Sequence, residues 1–265
     1  MWFVVKLVFG GETDMTEAEV SRFESIRNAV ADAGRGLAGI GTYGEKSVHA
    51  VLKAFYAPSP DDVEVAVNGY VADICDTKTN TVIEIQTRQF YTMKKKLEAF
   101  LPEFDVTIVY PLPVLKYIYN IDPDTGAVLS KRKSPKKRSI YDIFVEMYSI
   151  RDYLKDPHLH FRIVSLEAEE YRYKGLCEQH GKKQRILSDI MPVRILEEID
   201  IYELRDLIMF LPGELGDEFT RSSLAKAAGI DKYLAGYVAG LLYVTGLVVR
   251  DGSRSNRELV HRIVE

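Results

Sequence analysis

Cysteine is scarce in this chain: 265 residues contain two, Cys75 and Cys177, far apart in sequence. That excludes a disulfide framework and suits a reducing compartment. Zinc-finger spacing is also missing. His158-x-His160 and Cys177-x-x-His180 have no second ligand pair to complete a tetrahedral set, so structural zinc is not expected. No apolar run reaches the length of a membrane span. The opening stretch Met1–Phe9 is apolar, but it lacks a basic leader and breaks at Gly10-Gly11-Glu12. It reads as a strand or extension and not as a signal peptide, so the expected location is cytoplasmic, without a membrane partner. An excess of positive charge is absent too. With 35 Lys and Arg against 39 Asp and Glu, the net charge is −4, and any nucleic-acid contact must come from local patches.

What the chain does have is material for a core: 46% hydrophobic residues, with 16 tyrosines against one tryptophan. The length suits one large domain, or a medium one with a small appendage.

The most informative stretch runs from Gly69 to Gln86. It parses as two short strands, Tyr70–Cys75 and Val82–Thr87, joined by a polar turn. Centring the turn between Lys78 and Thr79 sets Asp73 opposite Glu84, hence on the same face, with Gln86 two residues further along. Ala72, Ile74, Ile83 and Ile85 make the other face apolar. Two carboxylates with no cation alternating beside them repel each other unless solvated or bridged. Either a solvated outer face or a hard divalent cation satisfies them.

The flanking segments give this hairpin a context. Thr16 and Glu19 form a capping box ahead of a helix carrying Val20, Phe23, Ile26 and Val30 inward. The glycine-rich stretch Gly34–Gly44 follows a helix rather than a strand, so it reads as a hinge and not as a phosphate loop. Glu45–Tyr56 is a second helix that buries Val48, Val51, Leu52 and Phe55. Glu45 and His49 lie four apart on it and share one face. Val63–Val67 alternates as a strand and turns at Asn68-Gly69. After the hairpin, Phe90, Met93, Leu97, Phe100 and Leu101 mark an amphipathic helix with Lys94, Lys95 and Lys96 on its exposed face. Asp105–Tyr110 then reads as a buried parallel strand reached by a crossover.

Helix, three strands, helix, strand, with Glu45, Asp73 and Glu84-Ile85-Gln86 on those elements, resembles the restriction-endonuclease-like superfamily of PD-(D/E)XK phosphodiesterases. The resemblance spans about residues 16–112. It implies an α/β fold, a restriction-endonuclease-like core (αβββαβ, a mixed sheet flanked by helices) within residues 1–190, the core itself at about 16–170. It further implies Mg²⁺ (or Mn²⁺) held by Asp73, Glu84, the Ile85 carbonyl and Glu45, with His49 joining the site. The chain departs from the pattern at Ala72, where the name implies proline, and at Gln86, where lysine is expected. Glutamine can orient a water but brings no charge. Lys94, Lys95 or Lys46 could substitute.

Beyond residue 116 the chain reads as a strand to Asp122, then the basic run Lys131, Arg132, Lys133, Lys136, Lys137 and Arg138 on a proline-broken loop. Six positive charges in eight residues make a candidate grip on a phosphate backbone, the alternative being a solvated loop. Ile140–Lys155 reads as a helix and Leu159–Leu166 as a further strand. Met191-Pro192 reads as a joint leading to a module over residues 191–265: helices at Ile199–Leu211, Thr220–Ile230 and Asp231–Thr245, then a hairpin. That order resembles a winged helix-turn-helix, in which Lys232, Arg250, Arg254 and Arg257 are the candidate DNA contacts. The sparse basic content of its third helix suggests backbone or shape recognition more than base reading. The expected function is metal-dependent hydrolysis of DNA phosphodiesters. Two alternatives stand beside it: a non-catalytic DNA-binding or regulatory protein on a degenerate core, and a scaffold whose C-terminal module binds protein. Homodimerisation is left open.

Overall fold

The computed structural model describes residues 15–36, 47–122, 125–173, 177–179, 182–184 and 188–264. Helix α1 is Glu17–Gly36 and α2 is Ser47–Tyr56. Strands β1 (Val63–Val67), β2 (Tyr70–Asp76) and β3 (Thr81–Ile85) form an antiparallel meander. Asn68 and Gly69 supply the positive φ values, 47° and 81°, that the first tight turn needs. A 3-10 turn at Phe90–Met93 and helix α3 (Lys94–Phe100) then cross over to β4 (Asp105–Ile121), which lies parallel to β3. Next come β5 (Val128–Lys133), α4 (Asp142–Ser149) and β6 (Leu159–Tyr173). A small pair, β7 (Cys177–Gln179) and β8 (Lys182–Gln184), precedes β9 (Ser188–Ile201). The sheet order is β1-β2-β3-β4-β6-β9, with β5 beside the far half of β4. This is the expected α/β class: a mixed sheet flanked by helices.

Alternation along the central strands divides the core between two faces. Val109, Val164, Leu166 and Ile195 pack with Ile85 under α1 and α2, through Phe23, Val51, Leu52 and Phe55. Ile108, Tyr110, Phe161 and Ile163 point the other way, under α3, α4 and the C-terminal module, through Phe90, Leu97, Phe100, Phe144 and Met147. The inward stripe read for α2 is the buried one. The N-terminus of α2 is held from across the sheet, because Asp189 on β9 accepts hydrogen bonds from the backbone N–H and the hydroxyl of Ser47.

Four expectations are corrected. Asp105–Tyr110 and Lys116–Asp122 are one continuous strand, although Pro111 and Pro113 lie between them. The N–H of Val106 points toward β6 and that of Asp105 toward β3. By alternation, the missing N–H groups of Pro111 and Pro113 therefore face the β3 side. There β3 pairing stops at Val109 and β5 pairing starts at Tyr117, so the prolines cost no ladder bond. Second, Lys131, Arg132 and Lys133 are on strand β5, antiparallel to Tyr117–Ile121, and not on a loop. Third, the segment through Met191-Pro192 is no joint. β9 pairs with β6 from Phe161↔Ile201 to Arg172↔Ser188, so the boundary expected between 190 and 191 falls inside a strand. Fourth, the helix expected at Ile199–Leu211 is strand to Ile201 and a 3-10 turn over Leu204–Phe210.

The C-terminal module follows with β10 (Glu218–Phe219), α5 (Arg221–Ala228), α6 (Lys232–Thr245), β11 (Val248–Val249), a hairpin of β12 (Arg254–Ser255) and β13 (Glu258–Leu259), and β14 (His261–Ile263). Its small sheet runs β10-β14-β11. Thr220 and Asp231 cap the two helices by accepting from the N–H groups of Ser223 and Leu234. Ala235 and Ala239 are fully buried, and a Cβ at Gly240 would lie 3.4 Å from the Tyr148 ring. The small residues of α6 thus let it close on α4, where Tyr148 and Tyr237 meet edge to face at 5.5 Å.

A chain ending at Ile190 would strip Met191–Ile201 from β6 and expose the core beneath Ile195. Such a truncation is expected to lose the cooperative thermal transition of the full chain, read by circular dichroism. A sharp transition retained by residues 1–190 would contradict the role given to β9.

Candidate functional site

The Asp73–Glu84 hairpin has the register read from the sequence, with Ile74 opposite Ile83 and Cys75 opposite Val82. The ladder stops there. One step further, side chains replace backbone acceptors: the N–H of Ile85 donates to Asp73 Oδ2 at 2.8 Å, and that of Asp73 donates to Glu84 Oε1 at 3.3 Å. The two carboxylates therefore brace each other's strand at the point where β2 and β3 separate. Bonds of this kind to ionised acceptors are stronger than neutral ones.

The carboxylate face is covered at Glu84 and only partly at Asp73, which is half-buried. Cys75 and Val82, on the same side of the hairpin, are buried against Phe90, Leu97 and Phe100 of the following helical segment. Glu84 is itself 3% exposed. Its partner comes from α3: Lys96 Nζ lies 2.9 Å from Oε1 and 2.8 Å from Oε2 of Glu84. Burial and the neighbouring Asp73 carboxylate push the Glu84 carboxyl up to about 7, with Lys96 pulling in the opposite direction. Three charges thus share one pocket of the sheet–helix interface, and the ammonium offsets only part of the cost of burying the acids.

Lys96 is the residue that the sequence reading missed. The sequence offers Lys94, Lys95 or Lys46 as substitutes and places Lys94, Lys95 and Lys96 together on an exposed face. The available signal was helical spacing: Lys96 lies three residues after Met93 and four before Phe100, both buried, and so leans toward the sheet. Gln86 does not occupy the lysine's place. Its side-chain nitrogen donates to the Arg88 carbonyl at 2.7 Å and reaches Thr92 Oγ1 at 3.4 Å, which ties it to the turn before α3. Glu45 and Lys46 lie outside the described residues. His49 is half-buried on α2.

The donor chemistry suits a hard divalent cation: two carboxylates, with the Ile85 carbonyl on the same strand. The repulsion between Asp73 and Glu84 is what such an ion relieves. Among the described residues, no group of three or more His, Cys, Asp and Glu side chains gathers at one point, and Glu45, the further acid that the resemblance implies, lies outside them.

The candidate DNA-contacting residues fall into two places. On β5, Lys131 sits over the rings of Tyr117 at 5.2 Å and Tyr119 at 4.8 Å, while Lys133 is opposite Tyr117 in the ladder. Arg132, Lys136 and Lys137 are exposed, whereas Arg138 is turned inward to the Tyr110 hydroxyl and Asp142. In the C-terminal module, Lys232 is bridged to Glu258 at 3.3 Å. Arg250 donates to His261 Nε2 at 2.8 Å and lies over the Tyr243 ring. Arg254 and Arg257 are exposed at the hairpin tip.

Fold and site together define an α/β protein whose central sheet holds a buried glutamate, Glu84, beside the half-buried Asp73, with an ammonium partner on Glu84. The chain belongs to a family described as a Domain of unknown function (DUF8091), which matches residues 46–202, from the start of α2 to the end of β9. It is also similar to an uncharacterized protein of Treponema pallidum (strain Nichols), 32% identical over 167 residues. That similarity covers 63% of this chain and 64% of the relative, so the chain spans less than two-thirds of the relative's length. No solved structure matches the chain.

An acid whose value is raised by folding, here from 4.5 to about 7, stabilises the fold fully below its unfolded value. That contribution is lost as the pH rises through about 7. The loss is on the order of 3 kcal/mol between pH 4.5 and pH 8. Replacing Glu84→Gln is expected to flatten this decline in the unfolding free energy. An equally steep decline in the variant would show that Glu84 is not its source.

Proposed function

We propose that this protein is a metal-dependent phosphodiesterase acting on DNA, built on a restriction-endonuclease-like core and carrying a C-terminal winged helix. One observation supports this above all. The acidic pair Asp73 and Glu84 sits where β2 and β3 part, inside the element order α2-β1-β2-β3-α3-β4, with a lysine ammonium on Glu84. The matched family span contains all of those elements.

In this reading Asp73, Glu84 and the Ile85 carbonyl would hold Mg²⁺ or Mn²⁺, with Glu45 as a further acid. When bound, the ion supplies Lewis acidity toward a phosphate oxygen and a water of lowered pKa. The chain's own residues supply the rest. The hydrogen bonds from Ile85 and Asp73 hold the acids in position, so little reorganisation is needed as charge develops. Lys96 brings to the site the positive charge that Gln86 lacks. α3 and the apolar side chains around it keep bulk water from Glu84, which strengthens its charge interactions. The exposed cations of β5 and of the segment after it would hold the nucleic-acid backbone, as would Arg254 and Arg257 on the β12–β13 hairpin.

The reading is tested by incubating supercoiled plasmid and branched DNA with Mg²⁺ or Mn²⁺. Wild-type protein is expected to nick or cut at least one of them. Asp73→Ala and Glu84→Ala should each lower the rate by ~100-fold or more, the scale of losing a preorganised charge-stabilising group. No metal-dependent cleavage of any substrate, with DNA still bound, would favour the non-catalytic alternative. For binding, Lys131→Glu and Lys133→Glu together should weaken DNA affinity across unrelated sequences. They should also shallow the slope of log affinity against log salt by about 1 for each lost phosphate contact. A gel shift insensitive to both changes would remove β5 from the interface.

A further inference from the structure

We infer that Lys96 is the cation this site carries in the metal-free protein, and that a divalent ion binds by expelling the Lys96 ammonium from Glu84 into solvent. The inference rests on the metal-site reading above and adds how that site is loaded.

The geometry makes the two occupants exclusive. Lys96 Nζ engages both oxygens of Glu84, at 2.9 and 2.8 Å, while Oε1 also accepts the Asp73 N–H. A divalent ion ligated by the same carboxylate needs the lone pairs that face the ammonium, and two cations cannot share that position without strong repulsion. The two partners differ in their freedom to leave. The Glu84 side chain is 5% exposed and rises from a central strand of the sheet, whereas Lys96 is 27% exposed and reaches in from α3. A lysine has a flexible four-carbon stem and a strongly hydrated head, so moving outward returns the ammonium to water without moving the helix. Asp73 explains why a cation is favoured beside ionised Glu84. Its carboxylate accepts from the Ile85 N–H at 2.8 Å, which holds the two acids side by side on the neighbouring strands. A released Lys96 then stands at the mouth of the site, where a phosphate would enter.

Lysine acetylation footprinting of the whole chain by mass spectrometry tests this without measuring activity. Lys95, an exposed neighbour on the same helix, serves as the internal reference. Metal-free protein should show Lys96 protected relative to Lys95, and saturating Mg²⁺ should raise Lys96 labelling by about tenfold, the ratio for a shift of ~1.4 kcal/mol. Glu84→Gln should expose Lys96 with or without Mg²⁺. Mg²⁺ binding by the wild type is measured separately by calorimetry. If Mg²⁺ binds and Lys96 labelling is unchanged or falls, the displacement is overturned while the metal-site reading stands. If no Mg²⁺ binds, both fall. A second arm is Lys96→Met, which should bind Mg²⁺ more tightly than the wild type. Equal or weaker binding by a folded variant, with wild-type labelling also unchanged, overturns the exchange.

Discussion

The long parallel pairing of β4 with β6 is the constraint on which the rest of this molecule depends. It runs from Val106↔Leu159 to Ile121↔Tyr173 and is interrupted by one irregularity near Pro113. Everything else attaches to this pair. β3 adds to the first half of β4 and brings the acidic hairpin with it. β5 adds to the second half and brings the basic residues, and β9 seals the far edge of β6. A parallel pair must be covered on both faces, because its crossovers place helices there. That requirement explains why α1 and α2 lie on one side and α3, α4 and the C-terminal module on the other.

Covering both faces has a chemical consequence at Glu84. In a two-stranded hairpin exposed on one side, an acid opposite another acid is inexpensive, because water solvates both. Here α3 closes over that side, and Glu84 keeps 3% of its surface. Desolvation then disfavours its charge, and Asp73 disfavours it further. The fold answers with Lys96, drawn from the crossover helix that causes the burial. One element thus creates the electrostatic problem and carries the group that offsets it.

Part of this could be read from the sequence alone. The hairpin register was legible because a short polar turn leaves few ways to pair two alternating strands. The buried stripes of α2 and of the Phe90–Leu101 segment followed from helical spacing, and the α/β class from the order of elements. Other features were not legible. Pro111 and Pro113 suggested a break, yet whether a proline is tolerated depends on which edge of the strand lacks a neighbour. Lys131–Lys133 looked like a loop because a charged run carries no burial pattern, and β5 is exposed along its whole length. β9 carries a proline that reads as a break, and it stays a strand because Pro192 pairs with Ala168 at an irregularity of the ladder.

What the sequence by itself determined is local: the turn at Asn68-Gly69, the pairing that sets Asp73 beside Glu84, and the helical stripes. Each is decided by residues within a few positions of one another, through backbone preference and alternation. What only the tertiary structure decided is which of three consecutive lysines meets Glu84, and that Glu84 is buried at all. Those outcomes depend on how α3 crosses the sheet. Side chains next to each other in sequence diverge by about 100° around a helix, so packing of the crossover, not composition, selected Lys96 for Glu84.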